Sequence, residues 1–259
     1  MDNRPIGLFD SGVGGLSVLA QIKKILPEET CIFLADQANV PYGAKTKTQL
    51  KKLTKRLTEF LLNYDIKVLV VACNTASCYT IDYLRDTFSI PIIGVVPAVK
   101  TAAEMAANSK IAVMSTPATA KSSYLKNLIK KVAPNTKVLR IGCAGLEEAV
   151  EYLKLNEISD LLGAYINRIK NFGAEVIVLG CTHYPFLKKD IEKIAGSDIK
   201  VIDSGKAVAN RLFSILKEKN MLSGDPTKDI FFTTGDPRLF SKVASTLLQY
   251  NISSQKAVV

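Results

Sequence analysis

Val68-Leu-Val-Val-Ala-Cys73-Asn74-Thr75 returns 108 positions later as Val176-Ile-Val-Leu-Gly-Cys181-Thr182-His183. Each copy is a short apolar run ending on a cysteine, with amide, hydroxyl or imidazole side chains directly behind it. A strand buried in a parallel sheet reads as such a run, and sites in these sheets lie beyond the carboxyl ends of the strands. The spacing therefore predicts two thiols at equivalent points of two similar halves. Two like acid/base groups facing one site suit a reaction that moves a proton from one face of a carbon to the other.

The repeat extends outward from the cysteines. Ile6-Gly-Leu-Phe-Asp10-Ser11-Gly aligns with Ile111-Ala-Val-Met-Ser115-Thr116-Pro at an offset of 105, and residues 31–35 find a counterpart near residues 137–141. Strand-like runs at 6–9, 31–35, 68–72, 92–95, 111–114, 137–141, 176–180, 200–202 and 230–233 alternate with amphipathic stretches, among them 16–26, 49–64, 120–132, 147–171 and 207–219. This rhythm predicts an α/β fold: two similar doubly wound parallel-sheet domains related by a pseudo-twofold, with the active site in the cleft between them. The first domain is expected to comprise residues 1–97 plus 207–259, the second residues 98–206. The stretch from Ala207 to Val259 has no counterpart and is expected to pack back on the first domain.

Composition narrows the function classes. The chain has 259 residues, 47% of them apolar, with no low-complexity tract, so it can bury a sizeable core. No apolar stretch reaches the length of a membrane span, and Met1-Asp-Asn-Arg-Pro-Ile-Gly lacks a signal-peptide core. A cytoplasmic protein without a membrane partner is expected. Five cysteines at irregular spacing read as reduced thiols rather than a disulfide framework. The net charge of +10 fits either a polyanion partner or an electrostatic funnel for a small acidic substrate. Much of it sits in Lys45, Lys47, Lys51, Lys52, Lys55 and Arg56, around an apolar stripe of Leu50, Leu53, Leu57, Phe60 and Leu61. Those charges are the solvated back of an amphipathic helix, and no nucleic-acid partner is expected.

Asp10-Ser11-Gly12-Val13-Gly14-Gly15 follows a strand and opens a helix, where glycines bring N–H groups close to a ligand and the helix start favours anions. A dinucleotide fingerprint is the rival, with Asp36 ending the next strand as the ribose acid. Against it, Ser17 replaces the third small residue and Asp10 would place a carboxylate beside the pyrophosphate. The plainer reading of Asp10 is a helix N-cap, a place that Asp and Ser both fill well. A lone cysteine is usually inert core, but recurrence at matched strand ends changes that weighting for Cys73 and Cys181, since a thiol at a helix start yields a usable thiolate. Cys181-x-His183 with Cys73 lacks further close-spaced metal ligands, and a Cys–His hydrolase leaves the second cysteine unexplained. His183, the single histidine, lies where it can relay a proton at neutral pH. No lysine stands in these loops to form a Schiff base, so cofactor-free proton transfer fits best. Pro41-Tyr42-Gly43 is a turn at another strand's carboxyl end, where the Tyr42 hydroxyl and the Gly43 amide are expected to meet a ligand carboxylate.

Phe9-Asp-Ser-Gly-Val-Gly-Gly-Leu-Ser17, Val40-Pro-Tyr-Gly43, Ala72-Cys-Asn-Thr-Ala-Ser77 and Gly180-Cys-Thr-His-Tyr-Pro-Phe-Leu187 together resemble the signature blocks of the glutamate racemase family. The similarity takes in Gly94-Val-Val-Pro97, Ser115-Thr-Pro-Ala-Thr119, Asp203-Ser-Gly205 and Thr234-Gly-Asp236, nearly the whole chain. It implies a cofactor-independent isomerase, with no metal, that interconverts L- and D-glutamate and feeds D-glutamate to peptidoglycan synthesis. It also implies that Cys73 and Cys181 are the two bases, Cys73 taking the proton from D-glutamate and Cys181 from L-glutamate. Asp10 would assist Cys73 and His183 would assist Cys181, with Glu151 as an auxiliary group. Substrate would be held by Asp10, Ser11, Tyr42, Gly43, Asn74, Thr75, Thr116, Thr119, Thr182 and His183, in a homo-oligomer expected to be a dimer. Two positions depart from the family pattern. Glu147 and Glu148 enter a normally apolar run within Cys143-Ala-Gly-Leu-Glu-Glu-Ala-Val-Glu151, and Asn39 stands where arginine is common.

Overall fold

The computed structural model describes residues 1–225 and 227–259. The chain runs β1 (Ile6–Asp10), α1 (Leu16–Ile25), β2 (Cys31–Ala35), α2 (Lys47–Leu62), β3 (Val68–Val71), α3 (Asn74–Thr87) and β4 (Ile92–Gly94). It continues through α4 (Val99–Met105), β5 (Lys110–Ser115), α5 (Pro117–Lys121), α6 (Ser123–Val132), β6 (Lys137–Gly142), α7 (Leu146–Glu151) and α8 (Leu155–Phe172). It closes with β7 (Val176–Leu179), α9 (Lys188–Ala195), β8 (Lys200–Ile202), α10 (Gly205–Glu218), β9 (Ile230–Thr233), α11 (Pro237–Leu248) and β10 (Ser254–Lys256). These elements form two units, one of Met1–Val95 with Gly205–Val259 and one of Val96–Ser204.

Each unit is built on a sheet whose paired strands are all parallel. The first has the order β10-β9-β2-β1-β3-β4 and the second β6-β5-β7-β8. The four strands β2-β1-β3-β4 thus repeat as β6-β5-β7-β8, and the register repeats with them. Ile6 pairs with Val68 in one sheet and Ile111 with Val176 in the other, so the offsets of 105 and 108 seen in sequence are the offsets of the ladders. At the neighbouring strand Ile6 pairs with Cys31 and Ile111 with Val138, one residue beyond the start of the sequence alignment. Strands β1, β2, β3 and β7 are buried at every position, which is why they read as unbroken apolar runs.

The helices pack by single apolar stripes. Leu50, Leu53, Leu57 and Leu61 of α2 are buried against the first sheet, each contributing about 2 kcal/mol on burial. A capping box between Thr46 and Gln49 starts that helix. Its lysines face away from the stripe, as the amphipathic pattern requires. Among the described residues no helix is long and apolar enough to cross a membrane.

Two predicted helices are each broken in two. The 120–132 stretch divides at Ser122, which ends α5 and starts α6, its hydroxyl accepting from Leu125 N at 3.1 Å. The 147–171 stretch divides between α7 and α8, where Leu153 takes a left-handed φ of 53° and Lys154 N donates back to Ala149 O at 2.8 Å. Neither glycine nor proline marks this second break, so it leaves no signal in the sequence.

Candidate active site

In the first unit, the end of β3 delivers Cys73 to the start of α3, where it is the N-cap and its Sγ accepts from Ala76 N at 3.5 Å. The thiol therefore faces the end of a helix that favours negative charge. The end of β1, next to β3 in the sheet, delivers Asp10 and Ser11. The Ser11 hydroxyl donates to Asp10 Oδ1 at 2.9 Å and lies 3.7 Å from Cys73 Sγ, while Gly12 N donates to the same Asp10 oxygen at 3.1 Å. All three side chains are buried. Gly15 is required here by close approach, since a Cβ at this position would stand 2.7 Å from Asp10 Cβ. The family resemblance pairs Asp10 with Cys73, and in the structure the Ser11 hydroxyl touches both.

Asn74 and Thr75 open α3 and are buried beside the thiol. Among the described residues, Asn74 Nδ2 has no hydrogen-bond partner. A buried amide donor left open costs about 1–3 kcal/mol, so its presence at this strand end points to a ligand acceptor.

The second unit repeats the frame with different helpers. Cys181 follows β7, and its Sγ lies 3.7 Å from His183 Nδ1. His183 Nε2 is 2.7 Å from Glu151 Oε2, at the carboxyl end of α7, and both groups are buried. Each thiol is thus one side chain removed from a buried carboxylate: Cys73–Ser11–Asp10 in one unit, Cys181–His183–Glu151 in the other. Burial pushes the Cys181 thiol up, by more than His183 draws it down, and Glu147 adds to the rise. Burial alone would lower His183, but its contacts with Cys181 and Glu151 outweigh this and hold the imidazole well above its ordinary value. Glu147, one of the two acids that depart from the family pattern, is itself buried one helical turn from Glu151 on α7.

The remaining predicted contacts sit at strand ends of the same two units. Thr182 is buried beside Cys181. Thr116 follows β5 and caps α5: its hydroxyl accepts from Thr119 N at 3.3 Å and donates to Thr119 Oγ1 at 3.1 Å. Tyr42 and Gly43 follow β2 in a short turn. The Tyr42 hydroxyl is buried and donates to Asp36 Oδ2 at 2.7 Å, and burial together with Asp36 holds it well above the usual phenol value. Its proton is committed to Asp36, so the contact expected between this turn and a ligand carboxylate falls to the backbone amides. Asp36 is likewise occupied by Tyr42, Asn39 and Thr234, which removes the ribose acid that the dinucleotide alternative needs.

Known proteins resemble the chain over nearly its whole length. The family model described as Asp/Glu/Hydantoin racemase matches residues 6–212. A glutamate racemase of Herpetosiphon aurantiacus is 38% identical over 251 residues, covering 95% of this chain and 99% of its own. Among solved structures, glutamate racemase isoform RacE1 from Bacillus anthracis is 32% identical with a TM-score of 0.92, over 100% of this chain and 99% of that one. The Francisella tularensis glutamate racemase, solved in complex with D-glutamate, is 31% identical with a TM-score of 0.86, over 100% and 98% of the two chains. The chain belongs to the Asp/Glu/hydantoin racemase family.

Proposed function

We propose that the chain interconverts L- and D-glutamate without a cofactor, by proton transfer at the α-carbon between Cys73 and Cys181. The observation that carries this reading is the pair of buried thiols at register-equivalent strand ends, each backed by its own proton-holding partner. Glutamate is favoured over aspartate by full-length likeness to curated glutamate racemases and to a relative solved with D-glutamate. The likeness to the Picrophilus torridus aspartate racemase, at 16% identity, extends only to the fold.

Removing the α-proton of an amino acid with a thiolate is steeply uphill, so the site has to stabilise the developing carbanion by placement and electrostatics. Asn74 Nδ2 and the first N–H groups of α3 provide donors where negative charge spreads onto the α-carboxylate. In this reading Asp10 holds the α-ammonium, and Thr182 adds a hydroxyl on the other thiol's side. Burial holds the Cys181 thiol up, and the contacts of His183 with Cys181 and Glu151 hold its imidazole up, so the pair is suited to keep and pass on a proton. With Cys73 as thiolate and Cys181 as thiol, D-glutamate is the substrate; one turnover leaves the opposite state, ready for L-glutamate. The D-glutamate formed would supply peptidoglycan synthesis.

Incubation with L-glutamate in deuterated water, with no added cofactor, is expected to abolish its circular dichroism and place deuterium at the α-carbon. L-Aspartate is expected to show neither change. Absence of deuterium uptake from glutamate would overturn the reading, and uptake from aspartate alone would reassign the substrate.

The lone histidine gives a second test. Its imidazole signals in NMR are expected to remain those of the protonated ring through neutral pH in the wild type. Glu151→Gln removes one of the two contacts that hold the ring up, so its titration should move down toward the free value of about 6.5. An unchanged titration would mean that Glu151 does not govern the His183 proton.

A further inference from the structure

Asp36 directly follows β2, is buried, and has no part in the proton transfer described above. Both of its oxygens are occupied. Oδ1 accepts from Asn39 Nδ2 at 2.9 Å and from Thr234 Oγ1 at 2.7 Å, and Oδ2 accepts from the Tyr42 hydroxyl at 2.7 Å. Hydrogen bonds to an ionised acceptor are shorter and about twice as strong as neutral ones. Three of them on one carboxylate fix both its position and that of each donor.

The donors come from two separate parts of the first unit. Tyr42 and Asn39 belong to the loop after β2, whereas Thr234 follows β9 in the C-terminal stretch that has no counterpart in the second unit. Thr234 is itself tied down: its N donates to Ala35 O at 2.9 Å and its hydroxyl accepts from Ala38 N at 3.1 Å. Next to it, Thr233 Oγ1 donates to Gln37 Oε1 at 2.9 Å. The end of β9 therefore braces the loop after β2, with Asp36 as the junction.

We propose that Asp36, braced by Thr234, is a positioning residue that fixes Tyr42 and thereby sets the 42–43 backbone amides that take the substrate's carboxylate. This rests on the substrate role given above to the 41–43 turn. A surface turn tied to a rigid strand end needs little ordering on binding, whereas a free one loses affinity to that ordering. The effect belongs to binding of substrate and transition state alike, so it appears in KM and spares kcat.

Asp36→Asn keeps the shape but cannot accept from all three donors. A cavity of about 200 Å³ lined by Asp36, Asn39, Arg56 and Thr234 gives the new amide room to solvate, so this variant is expected to fold. Asp36→Asn and Thr234→Val should each raise KM for glutamate by roughly tenfold with kcat within about twofold of wild type. Tyr42→Phe should behave alike, and the Asp36→Asn/Tyr42→Phe double variant should be no worse than Asp36→Asn alone. Hydrogen exchange gives a readout independent of any substrate: amides of residues 40–44 should exchange faster in Asp36→Asn and Thr234→Val than in wild type. Unchanged exchange, unchanged KM, or additive losses in the double variant would each overturn the proposal. A wild type that fails to racemise glutamate would instead sink the proposed function, with exchange still deciding whether Asp36 positions the turn.

Discussion

Alanine at Cys73 or at Cys181 is expected to cut glutamate racemisation by about ten-thousandfold, the upper range for losing a positioned acid or base. The loss is the same for either position because racemisation needs both groups in every turnover: one thiolate takes the α-proton, the other thiol gives one back on the opposite face. What each variant retains should differ. A substrate with a leaving group on its β-carbon needs only the first step. The base takes the α-proton, the electron pair forms the carbon–carbon double bond, and the leaving group departs with its own pair. Cys181→Ala keeps the Cys73–Ser11–Asp10 side and should eliminate from the D-enantiomer, whereas Cys73→Ala keeps Cys181–His183–Glu151 and should eliminate from the L-enantiomer. Coupled assays of racemisation and elimination on each enantiomer check this. Racemisation near the wild-type rate in either variant would exclude the two-thiol mechanism, and elimination from the same enantiomer by both would exclude the assigned faces.

How far these side chains were legible in sequence depended on whether they lie next to a repeated strand. Cys73 and Cys181 stood out because a continuous apolar run must end at a strand's carboxyl edge, and the 108-residue offset proved to be the register of the ladders. Ser11 between Asp10 and Cys73 was not legible, because which of two adjacent polar residues turns toward a thiol depends on the local backbone. The Asp36–Tyr42–Thr234 junction was hidden for a different reason: it joins the loop after β2 to a segment almost two hundred residues away. Glu147 interrupts an apolar run, yet it is buried one helical turn from Glu151 rather than lying on a solvated helix face, a placement its charge alone gave no sign of. The edge strand β10 escaped notice because Ser254–Lys256 is short and polar, with no apolar alternation to mark it.

Lys67→Met is expected to destabilise the first unit by about 3–5 kcal/mol, the usual cost of breaking a buried ion pair by removing one partner. Lys67 precedes β3 and is 1% exposed, with its Nζ 2.6 Å from Glu29 Oε2 and donating to Asp2 O at 2.6 Å and Met221 O at 2.8 Å. Glu29 is equally buried; its Oε1 accepts from Ser223 N at 2.9 Å. The approach to Oε2 lacks good hydrogen-bond angles, so that oxygen is held by the lysine's charge and loses its compensation once the charge is gone. The pair joins the start of the chain, the segments entering β2 and β3, and the 221–223 stretch after α10, all at the amino ends of the strands. Those ends lie opposite the catalytic ones, so folded Lys67→Met should racemise at the wild-type rate while its urea midpoint falls steeply. Adding Glu29→Gln removes the stranded charge and should recover a large part of the loss, because a neutral amide still accepts from Ser223 N. A single variant within about 1 kcal/mol of wild type, or a double variant less stable than Lys67→Met, would show that the pair does not hold these segments together.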